Sequence, residues 1–133
     1  MNALFSYLIS LISFIVMDCL WLGLIMKSTY KTELDSLLRP ANSFTIAHII
    51  TTFFVWLSIV TGIWIFVMPF AIQKSYIQTY FYGGLFGFIL YGVYEGTNFV
   101  VLNKWPLKIV TLDIAWGIFA CGILSIIIKK LHS

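Results

Sequence analysis

The sequence predicts an all-α protein, a four-helix transmembrane bundle with antiparallel up-down topology and short loops. Of its 133 residues, 61% are hydrophobic and only 10% are charged, and its mean hydropathy is +0.99. A soluble domain cannot cover that much apolar surface. A hydrocarbon core about 30 Å thick needs roughly 20 apolar residues of helix, and the chain offers four such stretches. We place the spans at residues 3 to 26, 44 to 68, 77 to 101 and 107 to 128, in a single integral membrane domain of residues 1 to 133.

The first span is expected to be a retained helix rather than a signal peptide. It has no basic n-region, it carries Asp18, and it lacks a small-x-small cleavage site. In the segment that follows, Thr32 and Asp35 resemble a capping box, so residues 32 to 38 are expected to form one or two helical turns in the headgroup layer. Ser43 is then predicted to cap the second span.

The third span is rich in glycine. Gly83 with Gly87, and Gly92 with Gly96, are small-xxx-small pairs, which let helix backbones approach closely in lipid. These pairs favour either packing within the chain or a homodimer contact through this face. The last loop is very short and Pro106 suits a first helical turn, so the third and fourth helices are predicted to be antiparallel neighbours.

The basic residues predict an orientation. With four spans, both termini lie on one side, side A, and the positive-inside rule favours the more basic side B as cytoplasmic. Both termini are then expected outside. No basic stripe with interleaved aromatics indicates nucleic acid. The side A residues are Lys74, Lys129 and Lys130, and the side B residues are Lys27, Lys31, Arg39, Lys104 and Lys108.

Acidic residues recur at one depth in three spans. Asp18 lies about eight residues before the side B end of its span, Glu95 about six before that end, and Asp113 about six after the fourth span begins, which puts all three roughly 9 to 12 Å deep. His48, at the start of the second span, lies slightly shallower. An aspartate at a helix centre costs about 2.5 to 3.5 kcal/mol in hydrocarbon, so these groups are expected to face the bundle interior.

Residues on the same helix faces complete a predicted site. In the runs "MDCLWLG" and "LDIAWG" a tryptophan follows an aspartate by three positions, so we expect each ring to shield the carboxylate of its own helix and to donate its N–H to it. Trp105 and Tyr30 are instead predicted to lie in the interfacial aromatic belt. The candidate ligand-binding or proton-binding residues are Asp18, Trp21, His48, Tyr91, Tyr94, Glu95, Asn98, Asp113 and Trp116.

Three carboxylates in one low-dielectric layer cannot all be ionised without a counter-charge. Either protons or a cation must therefore be present. No metal site is predicted, because His-x-x-x-His, Glu-x-x-His and Cys-x-x-Cys spacings are absent from the sequence, and no cofactor motif or nucleophile elbow appears. The alternative interpretation is a structural network, in which the acids only tie helices together through hydrogen bonds.

Four motifs in this order resemble the small bacterial integral membrane proteins of domain-of-unknown-function family 2177. They are "MDCLWLG", "YEGTN", the pair Trp105-Pro106 and "DIAWG", and the resemblance covers essentially the whole chain. In the family pattern the third-helix motif more usually reads Tyr-Asp-x-Thr-Asn, so Glu95 keeps the charge and moves it about one methylene outward. The resemblance implies a bacterial inner membrane location but no activity. It singles out Asp18, Trp21, Tyr94, Glu95, Thr97, Asn98, Trp105, Asp113 and Trp116.

The leading hypothesis is an intramembrane acidic pocket that binds protons or a cationic small molecule, in a transporter or a ligand-binding membrane protein. Four spans are few for a transport path, so transport implies a homodimer through the face of Gly83, Gly87, Gly92 and Gly96. One alternative is an integral membrane enzyme that acts on a lipid or isoprenoid by carboxylic acid and base chemistry. Another is a structural or accessory membrane subunit.

Overall fold

The structure is a computed structural model that describes residues 2–133. These residues form helices and turns and no strand, which confirms the predicted all-α class. Short 3₁₀ turns cover Asp35–Leu37 and Ala41–Ser43. The helices are α1 (Ala3–Leu20), α2 (Lys27–Leu34), α3 (Ile46–Gly62), α4 (Met68–Ala71), α5 (Tyr76–Val101) and α6 (Leu107–His132).

Two π-helical turns extend the apolar helices. The turn Trp21–Ile25 continues α1, and the turn Ile63–Val67 joins α3 to α4. Among residues 2–133, three helical stretches are long and apolar enough to cross a membrane, namely Ala3–Ile25, Ile46–Ala71 and Leu107–His132. Helix α5 also has 26 residues, but it contains many glycines and tyrosines and is not one of these three stretches.

Side-chain contacts fix the helix directions. The Tyr7 hydroxyl, near the start of α1, lies 2.8 Å from the Thr61 hydroxyl near the end of α3, so these two helices run antiparallel. At the far end of α6, Lys129 Nζ donates to the Ile72 carbonyl oxygen at 2.5 Å, so α6 runs in the same direction as α3 and α4. Helices α5 and α6 are antiparallel neighbours, as the short loop between them predicts.

Helix α6 is the centre of the molecule. In its most apolar window 44% of the residues are buried, against 11% in α1 and 17% in the α3 stretch. It contacts α1, α2, α4 and α5. The fully buried side chains that pack around it include Phe14, Val60, Ile63 and Leu124.

The α5–α6 seam, formed by Gly83 and Gly87 on α5 with Gly117 and Cys121 on α6, is the closest helix contact. A Cβ atom on Gly87 would collide with the carbonyl oxygen of Gly117, and one on Gly83 would lie 2.5 Å from the carbonyl oxygen of Cys121. Half of the glycine face proposed for a homodimer is thus covered by α6 of the same chain. The dimer face is not supported, and the alternative of packing within the chain accounts for these two residues.

On its other side, α5 is separated from α3. The backbone of α5 approaches the second apolar stretch only at the π turn Ile63–Val67 and at α4, and along residues 2–133 no Cα atom of α3 lies within 8 Å of α5. We call the resulting gap the α3–α5 cleft. It is bordered by Phe54, Val55 and Ser58 on α3 and by Leu90, Tyr91 and Tyr94 on α5.

Two predicted helix caps and one predicted first-turn residue are wrong. Thr32 lies inside α2, which begins at Lys27, so Thr32 and Asp35 form no capping box there. Ser43 belongs to a 3₁₀ turn, and Thr45 caps α3 together with His48. Pro106 precedes α6 as its N-cap with extended backbone angles, instead of lying in the first turn.

Candidate functional site

A cavity of about 790 Å³ lies where α1, α3, α5 and α6 meet α2, and we call it the acidic cavity. Its volume is in the range of pockets that hold drug-sized ligands. It opens through the α3–α5 cleft, where Phe54 is 67% exposed and Tyr94 is 55% exposed. Because these exposed side chains border the cavity, the cavity is accessible from the side of the molecule, between α3 and α5.

The wall of the acidic cavity is mainly aromatic and aliphatic, with four polar side chains among them. Its aromatic residues are Trp21, Tyr30, Phe54, Tyr91, Tyr94, Trp105 and Trp116. Its aliphatic residues are Leu22, Leu34, Leu38, Val55, Ile59, Leu90 and Ile109. Its other polar residues are Asp18, Lys27, Ser58 and Asp113.

Asp18 is held by two indole groups from other helices. Trp56 Nε1 on α3 donates to its Oδ2 at 2.8 Å, and Trp116 Nε1 on α6 donates to its Oδ1 at 3.3 Å. Both donors are neutral, so they orient the carboxylate without cancelling its charge. Phe14, one turn earlier on α1, is fully buried in the hydrophobic core that also contains Trp116.

The two motif tryptophans stack on each other. The Trp21 and Trp116 rings lie 4.7 Å apart with an angle of 4° between their planes. Each indole N–H reaches beyond its own helix, since Trp116 donates to Asp18 and Trp21 donates to the Tyr30 hydroxyl at 3.3 Å. The prediction that each tryptophan donates to the aspartate of its own helix is therefore wrong.

Asp113 is bound by a residue outside the spans. It is 9% exposed, and its Oδ1 accepts a hydrogen bond from the hydroxyl of Tyr30 on α2. Burial, followed by this hydrogen bond and the negative charge of Asp113, raises the pKa of Tyr30 above its usual range, so the phenol stays a donor at neutral pH. Tyr30 therefore lies inside the site, not in the interfacial belt that the sequence predicted.

Glu95 is the most deeply buried acid of the chain, at 0% exposure. Its Oε2 accepts a hydrogen bond from Trp105 Nε1 at 2.7 Å, whereas its Oε1 has no hydrogen-bond partner. Trp105 lies in the α5–α6 turn, between Lys104 in the left-handed region with φ 66° and the extended Pro106. The turn thus directs the Trp105 indole onto a buried carboxyl group. The prediction that Trp105 lies in the interfacial aromatic belt is therefore wrong.

The acids of α1, α5 and α6 come together, since Glu95 lies within hydrogen-bonding range of the Asp113 carboxyl group if one of them carries a proton. Asp18 is near enough to interact with Asp113 through charge. In the part of the chain that the structure describes, the ion pair is Lys108 with Glu33 at 2.9 Å, outside the cavity. No basic side chain among these residues is paired with Asp18, Glu95 or Asp113.

Three predicted site residues do not line the acidic cavity, namely the fully buried Glu95, His48 and Asn98. His48 is at the start of α3, where its Nδ1 accepts from the Thr45 amide at 3.0 Å as part of a capping box. Asn98 is partly buried on α5 and interacts with Tyr94, which does line the cavity. The structure therefore assigns His48 a capping contact rather than a place beside the acids.

Sequence reasoning missed three of the donors to these acids, namely Tyr30, Trp56 and Trp105. Trp105 could have been recognised as a site residue, because the pair Trp105-Pro106 is one of the four motifs on which the family resemblance rests. Trp56 stands in the apolar run "FFVWL", one helical turn after Thr52. Nothing in the sequence around it indicates that it contacts an acid. Tyr30 follows a helix break at Met26 that the composition does not indicate.

The chemistry of this site is that of oriented carboxyl groups in an apolar, aromatic enclosure. Within residues 2–133 no group of three His, Cys, Asp or Glu side chains is arranged to hold a metal ion. The acidic wall attracts positive charge, and the aromatic rings can stabilise an organic cation through their faces.

Comparison with known proteins gives one match. The family model described as "Predicted membrane protein (DUF2177)" matches residues 3–128. No curated protein matches the chain, and no solved structure matches it.

Proposed function

Since the chain belongs to the DUF2177 family of predicted membrane proteins, we propose that it forms a four-helix antiparallel transmembrane bundle whose acidic cavity binds an amphiphilic organic cation. The cation would lie beside Asp18 and Asp113, and its apolar part would extend into the α3–α5 cleft. This proposal makes the protein a ligand-binding membrane protein, with transport of the same ligand as a further step.

The length and packing of α5 support a fourth span. Its 26 residues extend roughly 39 Å at 1.5 Å per residue, which exceeds the thickness of a hydrocarbon core. It packs along α6, which is itself apolar enough to span a membrane. The side with five basic residues would face the cytoplasm of a bacterial cell, with both termini outside.

One observation carries the proposal for a cation: the carboxyl groups of Asp18 and Asp113 lie in the cavity wall and are bound by neutral donors alone. Their donors are Trp56, Trp116 and Tyr30, none of which contributes positive charge. Lys27 lines the same cavity but forms no ion pair among the residues described. An enclosure of low polarity strengthens the attraction between these carboxylates and a cation.

The apolar wall supports an organic ligand over an inorganic ion. Most lining side chains are aromatic or aliphatic, and such surfaces gain free energy by contact with hydrocarbon groups rather than with a hydrated ion. The stacked rings of Trp21 and Trp116 add aromatic surface next to Asp18. A cation with apolar substituents matches both properties of the cavity.

A binding measurement with tetraphenylphosphonium tests the proposal. The protein in lipid nanodiscs is dialysed against this lipophilic cation, with empty nanodiscs as the blank. We expect Asp18→Asn and Asp113→Asn each to weaken binding by about tenfold, which corresponds to about 1.4 kcal/mol. Asp35→Asn, in an exposed turn outside the cavity, is the matched control.

The neutral compound triphenylphosphine oxide separates charge from hydrophobicity. We expect it to bind at least tenfold more weakly than tetraphenylphosphonium to the unaltered protein. If both aspartate variants bind the cation as the Asp35→Asn control does, or if the neutral compound binds equally well, the proposed function is wrong.

The opening of the cavity toward lipid favours a second candidate, an enzyme that acts on a lipid or isoprenoid. In that case Asp113 or Glu95 would serve as proton donor and Asp18 as base or cation stabiliser. Mass spectrometry of lipids incubated with the protein distinguishes the two candidates. A binding protein leaves the lipids unchanged, whereas an enzyme yields a product that Asp113→Asn abolishes.

A further inference from the structure

Glu95 has one carboxyl oxygen that no donor satisfies. The side chain is fully buried, Trp105 holds Oε2, and Oε1 is without a hydrogen-bond partner. Leaving an ionised carboxylate oxygen buried and unpaired costs free energy of several kcal/mol. Buried polar atoms of native proteins are nearly always paired, so this oxygen calls for a partner that is not a standard donor side chain.

Another carboxyl group, that of Asp113, lies next to Glu95. Asp113 interacts with Glu95 through charge and through a side-chain hydrogen bond once one of the pair is protonated. Two adjacent carboxylates repel each other, whereas a carboxyl and a carboxylate that share one proton form a strong hydrogen bond. A single proton would therefore both satisfy Oε1 and remove the repulsion.

No basic side chain among the described residues is paired with either acid. The titratable side chains that face the pair are three phenols, which are neutral at physiological pH, and one further acid, namely Tyr30 from α2, Tyr91 and Tyr94 from α5, and Asp18 from α1. Lys27 lines the same cavity but forms no ion pair with Glu95 or Asp113. Lys108 is engaged with Glu33, and Lys104 is exposed in the turn.

We propose that Glu95 and Asp113 share one proton in the unliganded protein and release it when a cation binds at the acidic cavity, so that the site exchanges a proton for its ligand. This inference rests on the proposed function, since the cation it requires is the proposed ligand. A positive charge beside Asp113 replaces the proton as the partner of the pair. The proton passes to water at the open side of the cavity, and the net charge of the site is conserved.

The shared proton can be tested without any ligand. The chain has five acidic side chains, so the infrared spectrum of the protein in an ester-free detergent is simple enough to interpret. We expect a carbonyl stretching band of a protonated carboxylic acid at neutral pH, sensitive to deuterium exchange. Glu95→Gln should abolish the band, because the amide N–H takes the place of the proton, and Glu33→Gln, an acid paired with Lys108, should preserve it.

The exchange itself is measured as protons released per cation bound. Tetraphenylphosphonium is added to the protein in weak buffer with a pH-sensitive dye, and the release is divided by the amount bound. We expect about one proton per cation in the unaltered protein and in Glu33→Gln, and a ratio near zero in Glu95→Gln. Asp113→Asn provides a second variant, which should also lose the infrared band.

The outcomes separate this inference from the proposed function. A cation that binds without proton release, or a release that Glu95→Gln leaves unchanged, overturns the exchange and leaves cation binding intact. Absence of the infrared band at neutral pH overturns the shared proton. If the band is present and no cation binds, the proposed function and the exchange fail together, while the proton on the pair stands.

Discussion

Helix α5 meets its two neighbours in opposite ways. Toward α6 it presents Gly83 and Gly87, and the two backbones approach until a single Cβ atom would collide. Further along α5, Leu90 and Tyr94 border the α3–α5 cleft, which separates the backbones of α5 and α3, while Tyr91 between them packs on Gly117 of α6. Helix α5 is thus tightly packed along the α5–α6 seam and leaves open space at the α3–α5 cleft.

The difference shows how a small bundle can combine stability with a cavity. In lipid, helices associate mainly through close packing of small residues, so the seam is where α5 is held. The cleft needs no such contact, because α3 is attached to α1 by the pairs Tyr7 with Thr61 and Asp18 with Trp56. Asp18 and Asp113 therefore line a chamber whose helices are held together by contacts beside it and at its wall.

The largest effect is expected when a glycine of α5 that packs on α6 is replaced by alanine and compared with the same replacement at an open position of α5. We expect Gly87→Ala to lower the free energy of unfolding by about 2 to 3 kcal/mol, because its Cβ would overlap the carbonyl oxygen of Gly117. Gly92→Ala is the matched control on the same helix, since nothing lies within 4 Å of its Cβ position. That control should be neutral or stabilising by up to about 1 kcal/mol.

Unfolding by sodium dodecyl sulfate in mixed micelles measures both variants against the unaltered protein. Equal losses in Gly87→Ala and Gly92→Ala would contradict the distinction between a packed and an open face of α5.

Two tryptophan substitutions test how α3 is held beside the α3–α5 cleft. Trp56 ties the separated part of α3 to Asp18 at 2.8 Å, whereas Trp64, in the π turn where α3 meets the bundle, has a buried Nε1 without a hydrogen-bond partner. We expect Trp56→Phe to cost about 1.5 kcal/mol, the value of a hydrogen bond to a charged group. Trp64→Phe loses no hydrogen bond and should cost less in the same unfolding assay. The reverse order would show that Trp56 does not hold Asp18.

The depth of the acids could be predicted from the sequence, but their partners could not. Asp18, Glu95 and Asp113 occupy one layer because each lies a known number of residues from a helix end, and the rise per residue is constant. Hydrogen-bond partners depend on how far each helix is rotated about its axis. That rotation is set by contacts between helices, such as Gly87 against Gly117, which no single span contains.

The π turn after α1 is the second reason that the hydrogen-bond partners of the acids could not be predicted from the sequence. A π turn inserts an extra residue into the helical repeat and redirects the side chains that follow. The turn Trp21–Ile25 has this effect between Asp18 and Tyr30, so that Trp21 donates to Tyr30 and Tyr30 donates to Asp113. A regular helix extended to residue 26, which the apolar pattern predicts, would leave Tyr30 at the interface.

Filling the α3–α5 cleft with a larger side chain is expected to have the smallest effect of the three changes. It tests whether the ligand occupies the cleft. Ser58 lines the acidic cavity on α3, and its hydroxyl bonds only its own helix, to the Phe54 carbonyl oxygen at 2.7 Å. We expect Ser58→Phe to weaken tetraphenylphosphonium binding by about fivefold, roughly 1 kcal/mol, because the new ring occupies volume that the ligand needs. Thr51→Phe, two turns earlier on α3 at an exposed position outside the cavity wall, should bind as the unaltered protein does. If Ser58→Phe also binds the cation normally, the ligand does not use the cleft, and the separation of α3 from α5 is a packing feature without a part in binding.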